Sequence, residues 1–201
     1  EVWPNVMEEE GPFGEFTDAY ADKAPNNVLR VKAITHRADP VYHVILAGGS
    51  EDGVLLGLPL QAVVYEKVSR VADVVDVATP GHIFGCVISI RKHSDDQAQR
   101  VVREALGAHA WMKIVVVVDD DVNPHDATEV LWAIHTRHRP DTGICHLQSV
   151  GSFQRADVRE IHQGKLGIDA TVPVAMRRVF RRRHFPGMEH IDLGSYLDPL
   201  P

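Results

Sequence analysis

The stretch KIVVVV, residues 113–118, is a continuous apolar run of mostly β-branched residues. Such a run is typical of a central strand that is buried on both faces of a sheet. Before it, residues 98–106 place apolar side chains at the i, i+3, i+4, i+7 and i+8 spacing of an amphipathic helix. After it, the Asp126…Glu129 spacing resembles a capping box that opens a helix through about His138. The run therefore predicts a strand flanked by two helices.

Strand and helix patterns also alternate over much of the remaining chain. Further helices are predicted over residues 58–72 and from about Pro173 to Arg183, the first because its apolar residues repeat at helical spacing. The predicted strands are Val28–Ile34, Val41–Leu46, Val74–Ala78, Phe84–Ile90 and Ile144–Val150. Alternation of this kind indicates a layered α/β domain.

Composition narrows the class of protein. The chain has 201 residues, 44% of them hydrophobic and 24% charged, as in an ordinary globular protein, and its net charge is −7. That charge argues against a nucleic-acid or membrane-surface partner, and no apolar run is long enough to cross a membrane. Two cysteines, Cys86 and Cys145, lie in apolar runs, so we predict no disulfide framework and a cytoplasmic location. The chain begins at Glu1 without an initiator Met, and we expect that a segment is missing upstream.

The stretch EEEGPFGEF, residues 8–16, flanks a Gly-Pro-Phe-Gly sequence with the carboxylates of Glu10 and Glu15. Pro at the second and Gly at the fourth position predict a β-turn over Gly11–Gly14, which would bring both carboxylates to one small volume. Beside two phenylalanines, one carboxyl group could stay protonated near neutral pH, as general acid catalysis requires. A solvated acidic loop and a metal-ligand loop are the alternatives, and two more glutamates just before Glu10 favour the solvated loop.

Other clusters of polar residues admit two interpretations each. Asp119–Asp121 follow the predicted central strand, where they could bind Mg²⁺ or cap the next helix. Five arginines between residues 177 and 183 could bind phosphate or nucleic acid, contact another subunit, or form a solvated face. Lys165 lies between two glycines, where backbone amides could approach a phosphate. The twelve histidines show no metal-ligand spacing, and the sequence contains no GxGxxG or P-loop motif.

Several of these segments together resemble the UbiD family of decarboxylases that depend on prenylated FMN. They fall in the family's order and cover most of the chain. The segments are EGPFGEF at 10–16, ITHRADPVYHVILAGG at 34–49, VVVVDDDVNPHDATEVLWAIHTR at 115–137 and GKLGIDATVP at 164–173. The combination is specific, although no single segment is.

The resemblance implies a role for the glutamates of the EGPFGE motif. Family members hold a Glu-Arg-Glu network beside the flavin, and the arginine comes from a part of the protein upstream of the motif. By the resemblance, Glu10 positions that arginine and tunes the flavin, and Glu15 supplies the proton after CO₂ leaves. Gly11 and Pro12, between them, are expected at the substrate pocket.

Residues farther along the chain receive roles by the same resemblance. Lys165 corresponds to a lysine near the flavin phosphate, and Ile45 and Leu46 correspond to a strand that lines the substrate pocket. Asp119–Asp121 become structural, because the family holds its cofactor metal elsewhere. The cofactor is expected to be prenylated FMN, with a divalent metal and, as a further candidate, K⁺, held by residues absent from this chain.

The resemblance also predicts the domain organisation and the partners. Residues 1–50 would be a β-hairpin remnant of the flavin-binding, split-barrel-like domain, and residues 51–201 a layered α/β domain used in oligomer contacts. The expected partners are a small carboxylic acid substrate, an N-terminal flavin-binding half or subunit, and further copies of the chain. We expect a carboxy-lyase that is inactive without that half. The alternatives are a truncated, non-catalytic assembly module and, as a weaker hypothesis, a Mg²⁺-dependent phosphoryl-transfer domain that uses Asp119–Asp121.

Overall fold

The apolar run at residues 113–118 forms the middle strand of a five-stranded sheet in a computed structural model, which describes residues 1–151, 163–183 and 186–187. Strands and helices alternate after residue 50, and only strands precede it. The strands are β1 Val2–Glu10, β2 Phe13–Gly14, β3 Tyr20–Ala21, β4 Ala24–Leu29, β5 Asp73–Ala78, β6 Gly85–Arg91, β7 Ile114–Asp119, β8 Ile144–Leu147 and β9 Lys165–Ala170. The helices are α1 Ser50–Val68, α2 Gln97–Ala108 and α3 Ala127–Arg137, and a 3₁₀ turn spans Val174–Met176.

The large sheet has the strand order β5-β6-β7-β9-β8. Its three inner strands, β6, β7 and β9, run parallel, and the edge strands β5 and β8 are antiparallel to their neighbours. Val115, Val116, Val117 and Val118 of β7 are all buried. Successive side chains of a strand point to opposite faces, so both faces of β7 are covered. The predicted central strand and the layered α/β class are therefore confirmed.

Two apolar cores lie on the two faces of this sheet. On one face, α1 and α2 pack Val64, Val68, Val101 and other buried side chains against β6 and β7. On the other face, α3 packs Val130 and Ala133 against the opposite side of the same strands. Both cysteines are free, and burial raises the pKa of Cys86 to about 12, so this thiol is an unreactive part of the first core.

Gly167 of β9 lets α2 approach the sheet closely. A Cβ atom added at Gly167 would lie 2.1 Å from Cγ1 of Val102. We expect Gly167→Ala to lower the free energy of unfolding by about 1–3 kcal/mol, because the core is overpacked there. Gly107→Ala is the matched control, since a Cβ atom there meets nothing within 4 Å and alanine favours a helix. Urea unfolding measures both variants, and equal stabilities would contradict the packing argument.

Two short hairpins form the region before residue 50. β1 pairs with β4, and β2 pairs with β3, both antiparallel. The predicted strand Val28–Ile34 is wrong in its bounds, because β4 ends at Leu29, and the predicted strand Val41–Leu46 is not formed. A strand needs a hydrogen-bonded neighbour, and within the described part of the chain residues 30–46 have no strand pairing.

The predicted helices differ from the observed ones mainly at their ends. α1 begins at Ser50 instead of residue 58 and contains Pro59. α3 begins as predicted, since Asp126 accepts hydrogen bonds from the amides of Thr128 and Glu129 at 2.8 and 3.4 Å. The helix predicted from about Pro173 to Arg183 is wrong, because only the 3₁₀ turn forms there. None of the helices in the described residues is long and apolar enough to cross a membrane.

Candidate functional site

Glu10 is the last residue of β1 and lies at the end of the longer hairpin. Its backbone pairs with Ala24, and the side-chain amide of Asn26 on β4 donates to its carboxylate at 2.5 Å. The side chain of Glu10 is exposed, and that of the adjacent Glu9 forms an ion pair with Lys23 at 2.7 Å. The hairpin therefore presents the Glu10 carboxylate on an open surface, where another segment can reach it.

Gly11 and Pro12 connect the two hairpins through a cis peptide bond. Gly11 has a φ of +99°, and a Cβ atom there would lie 3.3 Å from the backbone oxygen of Asp22, so both conformation and space favour glycine. The predicted β-turn over Gly11–Gly14 is wrong, since Phe13 and Gly14 form β2 and pair with Ala21 and Tyr20. A turn does form in this region, but it begins at Glu15, after β2.

Glu15 is the first residue of that turn. Its amide donates to the backbone oxygen of Ala19, and its own oxygen accepts from the amide of Asp18, both at 3.0 Å. The residue is half-buried, whereas Glu10 is exposed. Glu15 is thus held by its backbone on both sides, and its carboxyl group is less hydrated than that of Glu10.

Phe16 attaches this turn to the layered domain. Its ring lies 5.8–6.2 Å, centroid to centroid, from the rings of His82, Phe84 and Trp111. A cavity of about 480 Å³ lies beside it, between the first turns of α1 and the loop over residues 79–83. This aromatic cluster could not be predicted from the sequence, because its members are 66 to 95 residues from Phe16 and only the fold brings them together.

A large apolar surface is exposed after β4. Exposed fractions run from 62% for Val31 to 90% for Val41, and the nearby Ile45 is 39% exposed. The strongly exposed apolar residues of this segment are Leu29, Val31, Ile34, Val41, Tyr42, Val44 and Leu46. We call this segment, residues 29–46, the apolar strip. Surfaces of this kind mark places where another polypeptide packs.

Lys165 lies at the start of β9 with its side chain buried. Its ammonium group donates to the backbone oxygens of Leu106 and His109, at 2.7 and 3.3 Å, at the end of α2. Burial lowers the pKa of Lys165. The structure therefore places Lys165 as a cation on the final carbonyl groups of a helix, a favourable position for positive charge. A contact with a flavin phosphate remains a prediction.

We expect Lys165→Met to lower the free energy of unfolding by about 1–3 kcal/mol, because two carbonyl oxygens lose their donor inside the protein. Unfolding of the flavin-free chain is the measurement, since a contact with a flavin phosphate cannot contribute to it. Lys67→Met, on the exposed end of α1, is the matched control and should be close to neutral. If both variants unfold alike, the structural role assigned to Lys165 is wrong.

Two of the three aspartates at the end of β7 are bound to one arginine. Arg137 of α3 donates to Asp119 at 3.0 Å and, through both terminal nitrogens, to Asp121 at 2.6 Å. The amide of Val172 also donates to Asp119, at 2.9 Å. Burial raises the pKa of Asp119, whereas the hydrogen bonds from Arg137 lower that of Asp121. A guanidinium group thus occupies the place that the phosphoryl-transfer hypothesis gave to Mg²⁺, and the described residues contain no cluster able to hold a metal.

Within the described residues, Arg177 and Arg182 of the arginine cluster donate hydrogen bonds to other parts of the chain. Arg177 donates to the backbone oxygen of Lys92 at 2.5 Å, and Arg182 donates to the backbone oxygen of Asp121 and the carboxylate of Glu129, both at 2.9 Å. This result supports an intramolecular role for part of the cluster. Sequence spacing could not show it, because the acceptors are 53 to 85 residues away.

The structure brings some predicted site residues together and separates others. Glu10 ends β1, Gly11 and Pro12 connect β1 to β2, and Glu15 follows β2, so these four residues lie on the two sides of one short strand. Ile45 and Leu46 belong to the apolar strip and do not line the 480 Å³ cavity. Their place in a substrate pocket remains a prediction.

The fold is shared with UbiD-class enzymes whose structures contain FMN or prFMN. Residues 53–170, more than half of the chain, match the family model of the 3-octaprenyl-4-hydroxybenzoate carboxy-lyase C-terminal domain. Residues 1–50 match that of the Rift-related domain of the same enzymes. The chain therefore belongs to the UbiD family.

Individual relatives agree with this assignment. Anhydromevalonate phosphate decarboxylase of Methanosarcina mazei is 35% identical over 187 residues, which are 89% of this chain and 43% of that enzyme. The structure of the UbiD-class enzyme HmfF from Pelotomaculum thermopropionicum with FMN has a TM-score of 0.89 at 35% identity. It aligns with 98% of this chain and 45% of HmfF. An evolved dimeric form of HmfF with prFMN has a TM-score of 0.82 at 36% identity, over 98% of this chain and 43% of that one. The chain thus spans less than half the length of these relatives.

Proposed function

We propose that this chain is part of a cytoplasmic, prenylated-FMN-dependent carboxy-lyase. The substrates would be aromatic or α,β-unsaturated carboxylic acids, and the chain would contribute the active-site glutamates Glu10 and Glu15. Membership of the UbiD family and the similarity to decarboxylases support this proposal. The two family models also support a division near residue 50, between a remnant of the flavin-binding domain and the layered α/β domain.

The apolar strip is the observation on which the proposal depends. A module that only assembles with itself through the layered domain does not require exposed apolar side chains on residues 29–46. A half-domain that pairs with an N-terminal flavin-binding half needs such a surface, and burying it would be strongly favourable. The strip begins at Leu29, which pairs with Val2 at the end of β1 opposite to Glu10. Its other end, at Leu46, leads to Gly48, where an added Cβ atom would lie 3.2 Å from the backbone oxygen of Glu15. A partner that covers this second end of the strip would therefore also reach the turn that contains Glu15.

The chain fits part of the cofactor site. Glu10 and Glu15 would face a cofactor that is held mainly by the proposed N-terminal half. Prenylated FMN, when bound, supplies an electron sink for the pair left by the departing CO₂. K⁺ and the divalent metal would be held outside this chain.

Each glutamate would have a separate role in the reaction. Glu10, held by Asn26 on an open surface, would orient the arginine of the N-terminal half. Glu15, half-buried in its turn, would hold a carboxyl proton. As the bond to the carboxylate carbon breaks and CO₂ leaves, this proton would form the new C–H bond, and solvent would then restore the acid. Further copies of the chain are expected to associate through the layered domain.

Denaturing mass spectrometry of the protein isolated from its source, combined with a flavin absorbance scan, tests the proposal. A species of about twice 22.3 kDa, or a second chain that co-purifies with flavin, is the expected result. A flavin-free protein of 22.3 kDa would instead favour the non-catalytic assembly module.

A further inference from the structure

The residue after Glu15 connects the two parts of the molecule. The Phe16 ring lies nearly parallel to those of His82 and Trp111, with interplanar angles of 29° and 22°, and meets Phe84 edge-on at 72°. These three partners come from the segments that lead into β6 and β7. Aromatic ring pairs at such distances stabilise a fold by more than the burial of their surface alone. We call this arrangement of His82, Phe84 and Trp111 the Phe16 seat.

His82 contacts the turn in a second way, through hydrogen bonds. Its Nε2 lies 3.4 Å from the backbone oxygen of Phe16, and the amide of Phe84 donates to its Nδ1 at 3.3 Å. The carbonyl oxygen can only accept and the amide can only donate, so one neutral tautomer, with the proton on Nε2, satisfies both. Both bonds are long and therefore weak. The imidazole thus holds Phe16 by its ring and by its backbone.

We infer that His82 is a positioning residue for Glu15. It holds Phe16 against the layered domain, and a displacement of Phe16 moves the turn in which Glu15 bonds Ala19 and Asp18. An apolar ring would fill the same space, but it would leave the Phe16 carbonyl without this donor. The seat itself is independent of the proposed function. Its consequence for catalysis rests on the proposed role of Glu15.

Hydrogen–deuterium exchange of the full chain tests the seat. In His82→Ala, amides of residues 13–20 should exchange about threefold to tenfold faster, because a ring contact and a hydrogen bond are lost. Amides of β7 should keep their rates. His82→Gln keeps an amide donor and should restore part of the protection. His125→Ala is the matched control, since this exposed histidine bonds Asp76 and lies outside the seat.

Phe16→Leu is the second variant, in case His82→Ala also disturbs β7. Phe16→Leu removes the ring on the side of the turn and leaves the side chains of the seat in place. It should speed the amide exchange of residues 13–20 to a similar extent. Combined with His82→Ala, it should add little, because both remove the same contact. Unchanged exchange in both single variants, or rates equal to those of His125→Ala, would overturn the inference.

Turnover of the completed, flavin-loaded enzyme separates the inference from the proposed function. We expect His82→Ala to lower kcat with a smaller change in KM, and His82→Gln to recover part of kcat. Faster exchange with unchanged kcat would support the seat and overturn the role of His82 in positioning Glu15. Unchanged exchange would overturn the seat whatever the turnover, and it would leave the proposed function standing.

Discussion

Glu15→Gln should abolish turnover in the completed enzyme, with a loss of about 10²–10⁴-fold in kcat, the usual contribution of a general acid. Glutamine keeps the size of the side chain, and the backbone bonds of Glu15 to Ala19 and Asp18 do not involve the carboxyl group. The fold should therefore be unchanged. Steady-state kinetics together with a thermal melt measures both effects.

The control for this substitution is Glu8→Gln, two residues before the motif. Glu8 is an exposed carboxylate on β1 and pairs through its backbone with Asn26. Glu8→Gln removes one negative charge from the same acidic stretch as Glu15→Gln, so a general electrostatic effect would appear in both variants. Substantial activity in Glu15→Gln, or equal losses in the two variants, would rule out the proton-donor role.

Arg137→Met is expected to lower the free energy of unfolding by about 3–5 kcal/mol, because it leaves a buried charge without its partner. The side chain of Arg137 is 2% exposed and that of Asp119 is 7% exposed. Methionine fills similar space but cannot pair with either aspartate. Urea unfolding at neutral pH is the measurement, since Asp119 must lose its compensation while it is ionised.

Two further variants show whether burial causes this effect. Arg70→Met removes an exposed ion pair in which Arg70 lies 2.6 Å from the carboxylate of Glu66. This substitution should lower the free energy of unfolding by about 0–1 kcal/mol. Adding Asp119→Asn to Arg137→Met should recover part of the stability, because the buried charge is then gone. A loss in Arg137→Met no larger than in Arg70→Met would contradict the argument.

The layered domain could be predicted closely from the sequence, because its pattern and its environment agree. A run of β-branched residues needs two covered faces, and α1, α2 and α3 cover them. The cap at Asp126 is a local contact, so its spacing was sufficient to find the start of α3. The end of α1 was misplaced, where the first turns contain glycines and exposed apolar residues. Strand β9 was not predicted, and the helix predicted after it is only a 3₁₀ turn.

The region before residue 50 could be predicted less well. The apolar strip contains β-branched and aromatic residues that predict strands, but a strand also needs a neighbour to accept its hydrogen bonds. The pairing of β1 with β4 depends on contacts across as many as 27 residues, from Val2 to Leu29. Local pattern does not contain such information. Strand formation was therefore predicted where the fold does not provide a partner.

The sequence by itself determined the family, the central strand and the two glutamates of the EGPFGE motif, because each is a property of neighbouring residues. Only the tertiary structure decided the partners of charged and aromatic side chains. In the folded chain, Arg137 binds Asp119 and Asp121. Lys165 binds the end of α2, and Phe16 packs in the seat that contains His82. The physical reason is that burial and pairing depend on distances in space, and residues 16 to 66 positions apart become neighbours only after the sheet has formed.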